Sequence, residues 1–254
     1  MSRRGAFIVI EGLDRSGKST QADVLTKKLQ EVGQAKLLKF PGLFPSLCLL
    51  NTHWDNPDRT TPIGKMIDAY LRSQSELDDR AIHLLFSANR WELALVFGRE
   101  CSLARVTDTP ISPLIEQDLV AGITIVCDRY AFSGVAFSTV KPSLTFEWCT
   151  FPDIGLPEPD LVLFLDVSPA VARSRGGYGE ERYEKEEMQR GVRDIFKRIE
   201  DEAKQSKDIQ GMDWVTIDAD KALAEVEQTI WEVVEPLSKG VSRPVGKLWN
   251  NETM

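Results

Sequence analysis

The stretch FIVIEGLDRSGKSTQ, from Phe7 to Gln21, runs from a continuous apolar segment through a glycine-punctuated turn into a polar segment. Its part from Gly12 to Ser19 fits the pattern G-x-x-x-x-G-K-[ST]. In this pattern, glycines let successive backbone N–H groups turn toward a phosphate, the lysine faces the β and γ phosphates, and the hydroxyl faces Mg²⁺. The sequence therefore predicts a strand, a nucleotide-phosphate loop and a helix. The loop alone does not say what is done to the phosphates, because transporters, switches and kinases share it.

The composition limits the classes of protein to which the chain belongs. It has 254 residues, 42% of them hydrophobic, and a formal net charge of −8. This charge argues against a general surface for nucleic acid or anionic membranes, and no apolar run approaches the roughly 20 residues of a membrane helix. We expect one domain over residues 1–254, located in the cytoplasm, with the nucleus as a second location.

The cysteine and histidine residues do not form a metal pattern. The four cysteines lie far apart with no C-x-x-C pair, and the two histidines are isolated. We therefore predict reduced, structural cysteines and no zinc site. They are Cys48, Cys101, Cys127, Cys149, His53 and His83.

Five short apolar runs alternate with helix-like segments, which is typical of parallel strands covered on both faces. We predict an α/β fold, a doubly wound sheet of about five parallel strands with helices on both faces. The predicted strands are Phe7–Ile10, Lys36–Phe40, Ile123–Cys127, Leu161–Leu165 and Trp214–Ile217. The predicted helices are Lys18–Glu31, Ile63–Arg72, Glu76–Leu95, Tyr183–Lys204 and Ala222–Leu237.

The third strand is followed by TIVCDRYAFSGVAFS. Asp128 at the end of a parallel strand is where this type of sheet places an acid on the Mg²⁺ side, and Arg129 beside it would meet a phosphate. Ser133 and Phe137 share one face if the segment is a helix. Core packing is the alternative for Phe137.

Two further motifs are typical of a base-binding site and of a lid. In HLLFSANRWE, Phe86 and Arg90 share a helix face and could stack on and hydrogen-bond a flat base; the alternative is a core phenylalanine with a snorkelling arginine. In SRGGYGEERYE, Arg175, Arg182 and Tyr183 surround three glycines, which is typical of a lid that excludes water; the alternative is a surface loop.

Inside the first loop, Asp14 beside a triphosphate is unfavourable unless it faces a second substrate. Arg15 could reach the transferred phosphoryl group. Solvent-facing loop residues are the alternative. Together the motifs supply a donor site, a metal site, an acceptor site and a cover, which are the parts of a nucleoside monophosphate kinase.

The chain resembles the eukaryotic thymidylate kinases. The words that carry the resemblance are EGLDRSGKSTQ, HLLFSANRWE, DRYAFSGVAFS, PDIGLPEPDLVLFLD, RGGYGEERYE and RPVGKLW, in family order over nearly the whole chain. The resemblance implies a P-loop NTPase-type fold with a short lid at about 175–184, transfer of the γ-phosphoryl of ATP to dTMP with Mg²⁺, and a homodimer through sheet-covering helices.

The resemblance also implies roles for single residues. Asp14 would meet the 3′-hydroxyl of dTMP, Phe86 would stack on thymine and Arg90 would bond its carbonyl edge. Arg59 and Arg129 would bind the dTMP phosphate, and Phe137 and Tyr183 would disfavour a 2′-hydroxyl. The predicted catalytic residues are Arg15, Lys18, Asp128 and Arg182, and the predicted metal ligands are Ser19 and Asp128. The predicted ATP site is Gly12, Ser16, Gly17, Lys18, Ser19, Thr20 and Arg175. The predicted dTMP site is Asp14, Phe40, Arg59, Phe86, Arg90, Arg129, Ser133, Gly134, Phe137, Tyr183 and Gln189.

Two aperiodic segments interrupt this pattern. Residues 42–57 separate Phe40-Pro41 from Asp58-Arg59, and residues 95–112 interrupt a helical segment. They are 16 and 18 residues long, and joining their ends restores FPDRTTPIGK and ANRWELAPLIEQ. They are either surface loops, which closure entropy tolerates, or retained non-coding sequence, which we favour.

Two other functions compete with this interpretation. A deoxynucleoside kinase would accept an uncharged nucleoside, against which Arg59 and Arg129 argue. A nucleotide-binding switch would need a guanine-reading N-K-x-D word, which the chain lacks. A catalytically silent homologue would bind nucleotide without turnover.

Overall fold

The computed structural model describes residues 3–41, 61–94, 114–175, 182–183, 185–205 and 212–249. Five parallel strands form one sheet in the order β2-β3-β1-β4-β5. The strands are β1 (Phe7–Gly12), β2 (Ala35–Lys39), β3 (Thr124–Asp128), β4 (Leu161–Asp166) and β5 (Asp213–Asp218). All five predicted strands are confirmed, with ends that differ by at most two residues.

Nine α-helices surround the sheet within the described residues. They are α1 (Lys18–Val32), α2 (Pro62–Leu71), α3 (Asp79–Ala94), α4 (Leu114–Val120), α5 (Ala131–Thr139), α6 (Phe146–Thr150), α7 (Pro169–Ser174), α8 (Glu186–Gln205) and α9 (Leu223–Val234). Short 3₁₀ helices follow α6 at Phe151–Asp153 and α9 at Glu235–Lys239. Ser133 and Phe137 lie on a helix, α5, which is the condition under which they share one face.

Several predicted helix boundaries were wrong. The third helix begins at Asp79 rather than Glu76, because the Asp78 carboxylate accepts the backbone N–H of Arg80 at 2.9 Å and caps the first turn. The long helix begins at Glu186 rather than Tyr183. The last helix ends at Val234, and its tail is a 3₁₀ turn that contains Pro236, a residue without a backbone N–H.

Three helices were not predicted: α4, α6 and α7. They have seven, five and six residues, too few to display a helical period. The two interrupting segments, 42–57 and 95–112, lie outside the described residues.

Strand β1 is the centre of the sheet and of the core. All six of its residues are buried, so both faces of the strand are covered. Helix α1 packs on β3 and α9, whereas α5 packs on α3, α6 and α8. In the register of β1 and β3, Ile10 stands opposite Asp128, which brings the end of β3 beside the loop that follows β1. This carboxyl edge is where open α/β sheets bind their ligands.

None of the helices in the described segments has both the length and the apolar character needed to cross a membrane.

Candidate active site

The loop after β1 needs glycine at two positions. At Gly12, φ is +149° and an added Cβ would lie 2.4 Å from the carbonyl oxygen of Leu165. Gly17 has φ +89° and occupies the N-cap position of α1. L-residues rarely adopt these conformations, so both glycines allow the backbone turn that the motif predicts.

Lys18 lies inside this loop. Its Nζ donates to the carbonyl oxygen of Leu13 at 2.5 Å and to Ser16 Oγ at 3.3 Å. Burial, together with the positive charge of Arg129, lowers the pKa of Lys18 to about 8. An anion bound next to Lys18 would therefore stabilise the charged form of its side chain.

Ser19 and Asp128 lie together at the start of α1. Ser19 Oγ donates to Asp128 Oδ2 at 2.5 Å, and the other carboxylate oxygen, Oδ1, is buried without a hydrogen-bond partner among the described residues. The described segments contain no group of three potential metal-ligating side chains. Mg²⁺ needs only one or two protein oxygens when phosphates and water complete its shell, so this pair fits the ion. Thr20 is exposed in the first turn of α1.

Arg129 and Asp14 form an ion pair across the loop. Arg129 Nη2 lies 2.5 Å from Asp14 Oδ1, and its Nη1 donates to Ser133 Oγ at 3.3 Å. The guanidinium carbon is 5.4 Å from the ring centroid of Phe137. Burial raises the pKa of Asp14, but the charges of Arg129 and Lys18 outweigh it and lower the pKa below its ordinary value. Asp14 is therefore a carboxylate that faces cations.

Gln189 connects α8 to the same aspartate. The Asp14 backbone N–H donates to Gln189 Oε1 at 3.0 Å, and Gln189 Nε2 donates to Asp14 Oδ2 at 2.7 Å. Gln189 Nε2 also donates to the carbonyl oxygen of Tyr183 at 3.0 Å. The segment before α8 is thereby joined to the phosphate loop.

Arg175 contacts the loop from the other side. Its Nη1 donates to the carbonyl oxygen of Arg15 at 2.6 Å, and its Nη2 donates to that of Ala219 at 2.7 Å. Arg15 itself has φ +62°, a conformation seldom adopted by residues other than glycine.

Arg182 is not brought to the loop. Its guanidinium pairs with Glu76, at 2.6 Å between Nη2 and Oε1, and Nε donates to the carbonyl oxygen of Tyr70 at 3.2 Å. It also lies 4.2 Å above the Tyr70 ring. Arg182 therefore contacts the end of α2 and the segment before α3, and its catalytic role remains a prediction.

Aromatic side chains form one wall of the site. The rings of Phe137 and Tyr183 lie 5.5 Å apart, and Tyr183 lies 6.2 Å from Tyr70. Burial raises the pKa of the Tyr183 hydroxyl. Phe86 is half-buried in the cluster that contains Tyr70 and Tyr183. Packing and base stacking both remain open to it.

Arg90 is 3% exposed, so the snorkelling alternative is wrong. It forms a two-pronged ion pair with the fully buried Asp153, which also accepts a hydrogen bond of 2.7 Å from Ser87 Oγ. Gly134 makes room for this arrangement, since an added Cβ there would lie 2.8 Å from Arg90 Nη2. Sequence reasoning missed Asp153, although the motif that contains it, PDIGLPEPDLVLFLD, is one of the motifs on which the family resemblance rests.

Phe40 is 8% exposed and its ring lies 5.9 Å from that of Tyr130, so it packs in the core. The Phe40–Pro41 peptide bond is cis. Arg59, the predicted partner of the acceptor phosphate, lies outside the described residues, as does most of the predicted lid.

Sequence reasoning also missed Glu11, a fully buried carboxylate on β1. Its Oε1 accepts the backbone N–H groups of Tyr130 at 2.8 Å and Ser133 at 3.0 Å, and its Oε2 accepts the hydroxyl of Ser133 at 2.5 Å. The signal was a charged residue at the end of an otherwise apolar strand.

Three comparisons with known proteins address this site. The family model for thymidylate kinase matches residues 10–230. Thymidylate kinase of Schizosaccharomyces pombe is 46% identical over 91% of this chain and 92% of its own length. Thymidylate kinase of Danio rerio is 41% identical over 97% of this chain and 98% of its own length. A solved structure of thymidylate kinase from Candida albicans, 34% identical, covers 97% of this chain and 99% of that chain, with a TM-score of 0.74.

These matches include the phosphate loop, the end of β3 and the helices that carry Arg90 and Gln189, and they agree with the five-stranded parallel sheet. The chain therefore belongs to the thymidylate kinase family.

Proposed function

We propose that the chain transfers the γ-phosphoryl group of ATP to dTMP, giving dTDP and ADP for the synthesis of dTTP. Family membership supports this reaction, and so does one observation in the site. Arg129 reaches the phosphate loop that contains Lys18, because its Nη2 lies 2.5 Å from Oδ1 of Asp14 in that loop. Two cations at one loop are both stabilised when phosphates bind between them. The loop then holds the donor phosphates, and Arg129 holds the phosphate of the acceptor.

The protein has little covalent chemistry to perform in such a transfer, because positioning and charge stabilisation supply most of the catalysis. Lys18 and Arg15 would face the transferred phosphoryl group, and Arg175 would cover the nucleotide with Arg182. Ser19 and Asp128 would hold Mg²⁺, which neutralises phosphate charge when bound. Each of these roles is an element of the proposal.

The acceptor pocket is proposed from the remaining predicted residues. Phe86 would stack on thymine, and Arg90 would donate to its carbonyl edge. Asp14 would meet the 3′-hydroxyl, and Phe137 and Tyr183 would crowd a 2′-hydroxyl. Ser133, Gly134 and Gln189 would line the pocket, with Phe40 and Arg59 near the acceptor phosphate.

A coupled assay for ADP release tests the proposal. ATP and Mg²⁺ are supplied with dTMP, dUMP, dCMP, dGMP, AMP or thymidine in parallel. Turnover confined largely to dTMP supports the proposed reaction. Turnover of thymidine without dTMP would replace it by a deoxynucleoside kinase, and ATP binding without any turnover would indicate a silent homologue.

We also propose that residues 1–254 form one domain and that the protein is a homodimer in the cytoplasm, with the nucleus as a second location. A single cooperative calorimetric transition is expected for one domain. Light scattering during gel filtration tests the dimer, and microscopy of a tagged protein tests the location. A monomeric mass would refute the dimer.

A further inference from the structure

Glu11 is a charged group in the centre of the core that none of the proposed substrate contacts uses. It is 0% exposed and lies on β1, between Ile10 and Gly12, which are also buried. Burial raises the pKa of this carboxyl above its ordinary value, although the hydrogen bond from Ser133 and the charge of Arg129 oppose the shift. Its two oxygens accept three hydrogen bonds, as an ionised carboxylate does. A buried carboxylate is costly, so its hydrogen bonds indicate what it does.

The first set of bonds holds the start of α5. Tyr130 occupies the N-cap position but makes no capping bond through its side chain. Glu11 Oε1 instead accepts the N–H groups of Tyr130 and Ser133, at 2.8 and 3.0 Å. A negative charge at a helix N-terminus is favourable. The strand thus supplies the cap that the helix lacks.

The backbone held in this way includes Arg129. It stands directly before Tyr130, has φ +66°, and donates its N–H to the carbonyl oxygen of Ile10 at 3.0 Å. Residues with side chains adopt this conformation only when their surroundings impose it. The bonds to Ile10 and Glu11 therefore clamp both sides of Arg129.

The bond from Ser133 to Glu11 decides which further hydrogen bonds the Ser133 hydroxyl can make. A hydroxyl has one proton to donate, and Ser133 donates it to Glu11 Oε2 at 2.5 Å. The lone pairs of Ser133 Oγ are left to accept Nη1 of Arg129 at 3.3 Å. Glu11 thus acts on both the backbone and the side chain of Arg129.

We propose that Glu11 is a positioning residue that presents Arg129 to the phosphate of the acceptor nucleotide through the start of α5 and the hydroxyl of Ser133. This inference rests on the proposed function, in which Arg129 binds that phosphate. Glu11 touches no substrate itself.

The variant Glu11→Gln tests the role because it keeps the shape and removes the charge. The amide oxygen still accepts backbone N–H groups, but the amide nitrogen now faces Ser133 Oγ as a donor. The Ser133 proton then loses its acceptor, and Ser133 Oγ accepts from the amide nitrogen as well as from Arg129 Nη1, which weakens its hold on the arginine. Hydrogen bonds to charged groups are worth enough that we expect about a 10- to 100-fold loss of affinity for dTMP.

The decisive readout is the ratio of dTMP affinity to thymidine affinity, measured by calorimetry, because thymidine lacks the phosphate. Thymidine and ATP are expected to change by less than about 3-fold, on the scale of weak indirect contacts. The control Glu116→Gln removes the charge of a part-buried glutamate on α4 that pairs with Lys247, and it is expected to leave the ratio unchanged.

An equal loss of dTMP and thymidine affinity, or no loss of either, would overturn the positioning role. If circular dichroism shows that Glu11→Gln does not fold, Glu11→Asp carries the same test, because it keeps the charge but withdraws the carboxylate from the start of α5 and from Ser133 by one methylene group. The two proposals fail in different ways. Wild-type protein that binds ATP but not dTMP would overturn the proposed function itself. Wild-type protein that binds dTMP, with variants that do not change the affinity ratio, would overturn only the role of Glu11.

Discussion

Replacing Asp153 with alanine removes the counter-charge of a buried arginine. The side chains of Arg90 and Asp153 are 3% and 0% exposed, and they meet through two nitrogen–oxygen contacts. Ser87 loses the acceptor of its 2.7 Å hydrogen bond in the same variant. Breaking a buried pair leaves one charge uncompensated, which costs about 3–5 kcal/mol. We expect Asp153→Ala to lower the free energy of unfolding by this amount.

Equilibrium unfolding in urea measures the effect. With a slope of about 2–3 kcal/mol per molar urea, the midpoint should fall by about 1–2.5 M. Fluorescence and circular dichroism should report the same shift, and the slope should not change. A changed slope would indicate an altered denatured or native state instead of a simple loss of stability.

Asp23→Ala is the matched control. Asp23 pairs with Lys39 at 2.9 Å, a similar ion-pair distance, but its side chain is 44% exposed. Solvent screens such a pair, so its loss should cost no more than about 1 kcal/mol. If Asp153→Ala cost no more than Asp23→Ala, burial would not be what makes the Arg90 pair important, and the reasoning would be refuted.

Three further substitutions test the site. Asp128→Asn should lower kcat by on the order of 10²- to 10³-fold and weaken the dependence of the rate on Mg²⁺. The rate of ADP release during a metal titration measures both effects. An unchanged Mg²⁺ dependence would exclude Asp128 as a ligand. Lys18→Met should abolish ATP binding yet raise the free energy of unfolding at pH 7 by about 3 kcal/mol. The folded state lowers the pKa of Lys18 from 10.5 to about 8 and thus disfavours its protonated form, at about 1.4 kcal/mol per pKa unit. The wild type should recover this difference as pH rises from about 8 toward 10.5, and urea unfolding across that range would contradict the account if the difference stayed constant. Gly134→Ala places a Cβ 2.8 Å from the guanidinium of Arg90, which Asp153 holds in place. KM for dTMP should therefore rise about 10-fold while KM for ATP stays unchanged. Equal increases in both KM values would argue against a local effect.

The strands and the phosphate loop were predictable because each depends on residues that are adjacent in the sequence. Buried parallel strands require continuous apolar runs, and the loop from Gly12 to Ser19 uses consecutive backbone groups. Helix boundaries were less accurate where a cap decided them, as at Asp78. The helices α4, α6 and α7 were missed because a helix of five to seven residues leaves no readable period.

The residues of the site were recognised more readily than their partners. Lys18, Ser19, Asp128 and Arg129 stand in motifs whose chemistry is visible in the chain. Asp153 and Glu11 were missed because an isolated acid in an apolar segment does not reveal its partner. Arg182 was expected in a lid, and its pairing with Glu76 was not foreseen.

The type of fold and the binding of nucleotide phosphates follow from the order of residues along the chain, because both depend on groups that are close in sequence. The pairing of charges does not. Arg90 and Asp153 are 63 positions apart, and Glu11 and Ser133 are 122 positions apart. The free energy of such pairs depends on how deeply the fold buries them, and burial is set by the packing of the whole sheet and its helices.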